Sequence, residues 1–413
     1  MIINELPDDC FFIIFGLMNE LDDLLNCSKV CSKWSHLIAE RTRNVKYLIA
    51  IYFAGHSRLF EGGYRFWSKA QISSKSQIYP LDYVYYRTMD PIDGPFLSTL
   101  FPNLIIADLC KEFYAKVGAR LYISNAYKSL KGIILPYHDS ILKYCDKLEM
   151  LSIQYDHQYI VHMLLFGGLM REHDIKQLHH WDYTLDEFAK ISVRFQNLQR
   201  LSISKYEGGK ADGCYDGFEL PRLKMLELNI DSYEVEFIYY GFQFILCCPN
   251  LQSAYISLYS NRFFVVDSCE HESLQDLVLS FNVDDVDCNE LEKALIKYPN
   301  LKHLALDCRY LFNQNLKNEH VENLVCILPN LVLFVVRNCE GVTQEAADYI
   351  QEYNKLHGRS IKFYFDQNYH EIQSDWPQLS TKYERISHGF DFMKHCFLKE
   401  SHQLPIFLVP NED

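Results

Sequence analysis

Pro299-Asn300-Leu301-Lys302-His303-Leu304-Ala305-Leu306 is the stretch that decides the fold. Its apolar positions follow Leu-x-x-Leu-x-Leu. In an extended strand successive side chains alternate, so Leu304 and Leu306 share one face and Leu301 enters the core just before it. Pro299 stops whatever helix precedes it, because proline disfavours α geometry in the residue before it. Working outward, the pattern recurs as Leu148…Leu151…Ile153, Leu198…Leu201…Ile203, Leu223…Leu226…Leu228, Leu251…Ala254…Ile256, Leu274…Leu277…Leu279 and Leu331…Phe334…Val336. From Leu198 onward the first positions step by 25, 28, 23, 27 and 30 residues. Weaker copies start at Leu104 and Leu130, and the gap of 50 residues after Leu148 leaves room for one more unit, with Val161–Met170 as its candidate. Pro-Asn-Leu opens the copies at 102–104, 249–251, 299–301 and 329–331.

Between these strands His138–Cys145, Thr184–Arg194, Ser232–Cys247, Asp287–Tyr298 and Lys317–Leu328 read as amphipathic helices. No single unit can bury its own leucines, so neighbours must stack. The spacing is close to the roughly 20–29 residues of leucine-rich repeats, which this region resembles. That resemblance implies an α/β chain in which a curved solenoid with a parallel concave sheet covers residues 101–366. Leu331-x-x-Phe334-x-Val336-x-x-Cys339, followed by Gly341-Val342-Thr343, is similar to the cysteine-containing subclass. Asn282 in one unit and the early Cys308 in another depart from it. Thr343–His357 reads as the last repeat helix and Ile361–Phe365 as the last strand. Residues 43–100 read as a linker with degenerate repeats, Val45–Phe53 and Tyr83–Tyr86 being strand-like. Residues 367–413, with a helix expected at Tyr383–Lys399, could cap the stack, fold across the concave face or form a mobile tail.

The N-terminal stretch has another period. Phe11, Ile14, Phe15 and Met18 lie on one helical face, and Cys27, Val30, Cys31, Trp34 and Ile38 form a second stripe. Pro7 suits a first helical turn, and Asp8 and Asp9 suit its positive dipole end. Leu6-Pro7, Ile14-Phe15, Asp23-Leu24-Leu25, Val30-Cys31, Trp34 and Leu37 together resemble the F-box over residues 4 to 40. Cys10 and Phe11 stand where that family commonly has leucine. The resemblance makes residues 1–42 a small helical F-box unit and implies docking onto a Skp-type adaptor, and through it a cullin. Leu6, Pro7, Ile14, Val30 and Trp34 are the positions that carry over to that contact.

The net charge of −14 argues against nucleic acid as the main partner, since phosphate binding needs clustered Lys and Arg. No apolar run approaches the roughly 20 residues needed to span a bilayer. The acidic Met1–Asp9 lacks the basic start of a secretory signal. Fourteen scattered cysteines then imply reduced thiols in the cytoplasm or nucleus. Cys27 and Cys31 read as helical core positions, so with His36 they are not taken as a zinc site, and His173, His179 and His180 read as surface or loop histidines. Glu207–Gly217 reads as a flexible loop, and Asp287 as a helix cap after Asp284 and Asp285. No catalytic or nucleotide-binding motif is present, so neither enzyme chemistry nor a cofactor is expected.

Recognition is expected on the concave side, where Arg200, Glu227, Tyr255, Asp276, His303, Asp307 and Arg337 alternate with the buried leucines. Their mixed chemistry suits a protein ligand. The two resemblances together imply a substrate-recognition subunit of a Skp–cullin–F-box ubiquitin ligase, its substrate unidentified. The alternative is a repeat scaffold that binds partners without leading to their ubiquitination.

Overall fold

The computed structural model describes residues 3–18, 21–50, 83–86, 100–108, 130–135, 142, 145–153, 172–181, 183–205, 213–230, 238–266, 269–283, 286–308, 316–382 and 384–411. The described residues divide into two compact units, the first running to Asp174 and the second from Ile175 onward.

The first unit opens with α1 (Asp8–Gly16), α2 (Leu21–Ser28) and α3 (Ser32–Thr42). Phe11 and Phe15 of α1 point inward, and Trp34 of α3 packs edge-on against both rings at centroid distances of 5.5 Å. The apolar positions from Cys27 to Ile38 do not form one continuous stripe. Ser28 is buried and bonds back to the Leu25 carbonyl (2.8 Å), α2 stops there, and Val30 turns outward before α3 begins. A serine hydroxyl competing for local backbone in this way is a common end to a helix. Next come β1 (Tyr47–Ala50), β2 (Tyr83–Tyr86), β3 (Ile106–Asp108), β4 (Gly132–Leu135) and β5 (Met150–Ile153), all parallel in the order β2-β1-β3-β4-β5. Val45–Ala50, Leu104 and Leu130 thus belong to degenerate copies of the repeat. Val161–Met170 and most of His138–Cys145 lie outside the described residues.

In the second unit the strands are β6 (Gln177–Trp181), β7 (Arg200–Lys205), β8 (Met225–Ile230), β9 (Ile238–Tyr239), β10 (Ser253–Leu258), β11 (Arg262–Phe263), β12 (Asp276–Phe281), β13 (His303–Cys308), β14 (Leu333–Arg337) and β15 (Lys362–Tyr364). Eight of these form a parallel sheet in the order β6-β7-β8-β10-β12-β13-β14-β15, while β9 and β11 pair separately. The register aligns equivalent repeat positions, for example Leu201, Leu226, Ala254, Leu277, Leu304 and Phe334. β6 supplies a unit the leucine pattern skipped. Ile175 and Leu178 fill its first two core positions, but the third is His180, buried with Nδ1 against the Trp181 carbonyl.

One face of the sheet packs on the connecting segments, among them α4 (Leu185–Ala189), α5 (Gly241–Leu246), α6 (Cys288–Leu295), α7 (Asn318–Ile327) and α8 (Gln344–His357). Asp287 caps α6 by accepting from the Asn289 and Glu290 amides (3.0 and 3.1 Å), and Gly358, at φ 64°, ends α8 in the left-handed conformation.

The other face is covered by residues 366–411. This segment carries α9 (Ile372–Asp375), β16 (Ile386–His388), α10 (Phe392–His395) and β17 (Phe407–Val409), with β16 and β17 paired in parallel. The single helix expected over Tyr383–Lys399 is not formed. Gly389, at φ 95°, turns the chain between β16 and α10, a conformation in which a helix cannot propagate.

Candidate protein-interaction surfaces

The N-terminal helices present one surface. Six apolar residues in a row, Cys10 to Phe15, leave α1 with no polar face beyond Asp8 and Asp9 in its first turn. Burying Phe11 and Phe15 therefore forces their neighbours outward. Phe12, Ile13, Ile14 and Leu17 are 38%, 66%, 39% and 76% exposed, and Val30 in the α2–α3 turn is 58% exposed. Of the five expected contact positions, Ile14 and Val30 face solvent, as does Pro7, whose backbone caps α1. Leu6 is half-buried. Trp34 serves the interior, its Nε1 donating to Asn4 Oδ1 (2.8 Å) while its ring supports Phe11 and Phe15. Phe12, Ile13 and Leu17 were not singled out from the sequence, although the unbroken apolar run was the signal for them. Two cations hold the helices in place. Lys33 bonds Asp8 and the Leu6 carbonyl (both 3.1 Å), and Arg41 reaches the Met18 carbonyl (3.2 Å).

The second surface is the sheet face carrying Arg200, Glu227, Tyr255, Asp276, His303, Asp307 and Arg337. The structure brings these seven together, and covers them with the chain's own residues 366–411. Arg200 is 1% and Glu227 3% exposed. Their fork-to-fork pair has Nε–Oε1, Nη2–Oε2 and Nη2–Oε1 distances of 2.9, 2.9 and 2.7 Å. The same guanidinium donates to the carbonyls of Pro405 and Ile406. Arg337 bonds Asp307 (3.0 Å) and the Leu398 carbonyl (3.1 Å). Asp276 is held by Ser253 and by His303 Nδ1 (2.6 Å each), and the His303 ring meets Trp376 and Phe397 edge-on. Tyr255 lies in a core shared by both sides: Met225, Val278, Ala305, Leu333, Val335 and Tyr364 from the strands, with Ile372, Leu379, Phe392, Cys396, Phe397, Leu398 and Leu408 above them. The sequence did carry the signal. Leu331 to Val336 is apolar at every position, as a strand buried on both faces reads.

Burial governs the ionisable groups between the two layers. His179 is not at the surface as expected. Desolvation, then the charges of Arg200, His180 and Arg385, push its pKa well below the usual imidazole value. His395 is lowered for the same first reason, and Cys396 is raised by burial and by Glu227. His180 is likewise buried, whereas His173 sits exposed beside Asp174. No group of three His, Cys, Asp or Glu side chains among the described residues could hold a metal ion. No described helix is long and apolar enough to cross a membrane. Of the glycine-rich loop, residues 207–212 lie outside the described part, as do Asp284 and Asp285. Tyr215, beyond the loop's centre, is buried between the rings of Phe188 and Phe244.

No curated protein matches the chain. Among solved structures, "Crystal structure of Rad7 and Elc1 complex in yeast" aligns at 16% identity over 62% of this chain and 75% of that one, with a TM-score of 0.33. The family model described as F-box domain matches residues 3–46, so the helical unit that exposes Ile13, Ile14, Leu17 and Val30 is an F-box domain.

Proposed function

We propose that the chain is a substrate-recognition subunit of a Skp–cullin–F-box ubiquitin ligase, joining an adaptor at its N-terminal helices to a protein substrate held by its leucine-rich repeats. The observation that carries this reading is the F-box match at residues 3–46, in which the apolar side chains not needed for the interior face solvent. F-box domains bind Skp-type adaptors, and an exposed apolar helix face is the kind of surface a partner covers. The stack of parallel strands supports the second half, since repeat arrays carry extended surfaces for a protein partner, one face of this one being covered by residues 366–411. The chain performs no bond chemistry of its own in this reading. It raises the effective concentration of substrate lysines beside a charged conjugating enzyme. Its net charge of −14 favours protein over nucleic acid as partner, and its cysteines suit the reducing cytoplasm or nucleus.

The test is co-purification of the full chain beside a Leu6→Ala, Pro7→Ala variant, read by mass spectrometry. Adaptor and cullin are expected with the parent and lost from the variant, with other partners kept. Absence of adaptor from both samples overturns the reading. Substrate turnover that stays unchanged when the chain is depleted overturns its ligase half and leaves a scaffold.

A further inference from the structure

The contacts that hold β17 are those of a bound peptide. Gln177 engages one residue at both backbone positions: its amide nitrogen donates to the Leu408 carbonyl (2.6 Å) and its amide oxygen accepts from the Leu408 N–H (3.0 Å). Two and three residues earlier, the Arg200 guanidinium takes the carbonyls of Ile406 and Pro405. That guanidinium is oriented beforehand by its bidentate pairing with Glu227, the planar geometry in which arginine presents its remaining donors at fixed directions. On the other edge the segment adds as a parallel strand to β16. The Ile406 N–H donates to the Arg385 carbonyl, the Gly389 N–H to the Val409 carbonyl (2.8 Å each), and Ser387 aligns with Leu408. Backbone groups are thus read from two sides, while Leu408 belongs to the apolar core that includes Met225 and Tyr255, and Phe407 beside it is also buried. No residue from Leu404 to Val409 is charged. None of the hydrogen bonds named here depends on a side chain of the segment, so another chain with the same apolar pattern can make them all.

We propose that Gln177, Arg200 and β16 form a peptide-binding groove that takes an extended, uncharged, proline-containing apolar segment of a partner protein by strand addition, and that residues 404–409 occupy it as an intramolecular stand-in. Strand addition of this kind draws affinity from main-chain hydrogen bonds and specificity from pockets for alternate side chains. Here the pocket is that of Leu408. A tethered occupant competes at an effective concentration on the order of millimolar, so a partner whose own Kd for the open groove is about 1–10 μM is suppressed about 100- to 1,000-fold while the stand-in is seated. This rests on the assignment of partner binding to the repeats made above, and adds the partner's chemistry and a device that withholds the site.

The full chain carrying Leu408→Asp is the test, because a carboxylate cannot enter that apolar pocket and the segment is driven out. The probe is a fluorescently labelled synthetic peptide of residues Leu404–Asn411, followed by anisotropy, with hydrogen exchange on β7 and β8 reporting the fold. The Leu408→Asp chain is expected to bind the peptide at least 100-fold more tightly than the parent, and a peptide carrying the same Asp is not expected to bind. Adding Gln177→Leu is expected to lower the affinity at least tenfold. A second full chain, Ile406→Asp, opens the same segment from a half-buried position. Protected strands with no peptide binding overturn the proposal. Loss of protection in both opened chains also overturns it, because residues 404–409 are then ordinary core. Adaptor co-purification from the same samples reports the F-box reading separately, so the groove can fail while that reading stands.

Discussion

Asn250, Asn300 and Asn330 show what a three-residue motif conceals. In Pro-Asn-Leu the proline reads as a helix stop and the leucine as core, which leaves the asparagine without a task. In the structure each amide nitrogen donates to a backbone carbonyl of the preceding turn: Asn250 to Pro221 (2.8 Å), Asn300 to Glu272 (2.9 Å) and Asn330 to Pro299 (3.0 Å). Asn103 does the same with Arg43 (2.9 Å) in the first unit. The acceptor lies 28 to 31 residues away in sequence for the first three and 60 away for Asn103, so no local reading could find it. Asn300→Ala is expected to cost about 0.5–1.5 kcal/mol in urea unfolding, the net worth of one such bond. The Arg200–Glu227 pair obeys a harsher rule. Removing one partner strands a buried charge, so Glu227→Leu is expected to destabilise by about 3–5 kcal/mol. Arg200→Met combined with Glu227→Leu is expected to recover only part of that, since the Pro405 and Ile406 carbonyls then lose their donor. A double-mutant cycle measures the coupling, and two additive effects would mean that the pair is solvated in a way its burial denies.

Among the elements, α1 and its C-terminal cap separate interior from solvent-facing side chains within two turns. Phe11 and Phe15 hold the helices together, whereas the side chains of Ile13 and Leu17 lie mostly in solvent. Phe15→Ala is expected to lower stability by about 3–5 kcal/mol. Ile13→Asp and Leu17→Asp are expected to shift it by less than about 0.5 kcal/mol, as surface changes do, yet to abolish adaptor co-purification. Equal losses of stability in thermal melts would place both pairs in the core. The layer between β6 and the C-terminal segment carries a pH dependence whose sign follows from burial. His179 and His395 are held neutral in the fold, with values depressed from the usual 6.5 or so, whereas the unfolded chain takes up protons near that value. Well above pH 6.5 their burial carries no protonation penalty. Stability then falls progressively as the pH drops below it, because the unfolded state binds more protons. Melting temperatures from pH 7.5 to 5.5 should decline, and His179→Gln should flatten the slope. A slope unchanged by that substitution would assign the decline to other groups.

Over the whole molecule, legibility followed the range of the interactions. Repeats whose three core positions are aliphatic announced themselves, because strand and helix periods act over a few residues. The gap after Leu148 announces one more unit, but its place at Ile175 rather than Val161–Met170 is not legible, because His180 replaces the third aliphatic residue and its burial depends on contacts with Tyr183 that only the folded chain supplies. The cover over the second sheet face was harder still. The alternation from Arg200 to Arg337 reads as an open recognition face, and only the apolar Met225, Val278, Ala305, Leu333 and Val335 among those positions betray that something lies on it. The magnitude decides what that something is. Ile372, Leu379, Phe392, Phe397, Leu398 and Leu408 are each at most 4% exposed. At roughly 1.5–3 kcal/mol per buried side chain their gross burial contributes about 9–18 kcal/mol, a loss larger than the margin of about 5–15 kcal/mol by which a typical domain is stable can absorb. The segment as a whole is therefore half of a core, and only its final strand is held by bonds that another peptide could replace. A chain ending at Asp366 is expected to be recovered as aggregate or as an expanded species on gel filtration, since it exposes the apolar strand face that the segment covers. A soluble, compact and cooperatively melting truncation would instead show that the sheet stands alone and that all of residues 367–411 can be lifted from it.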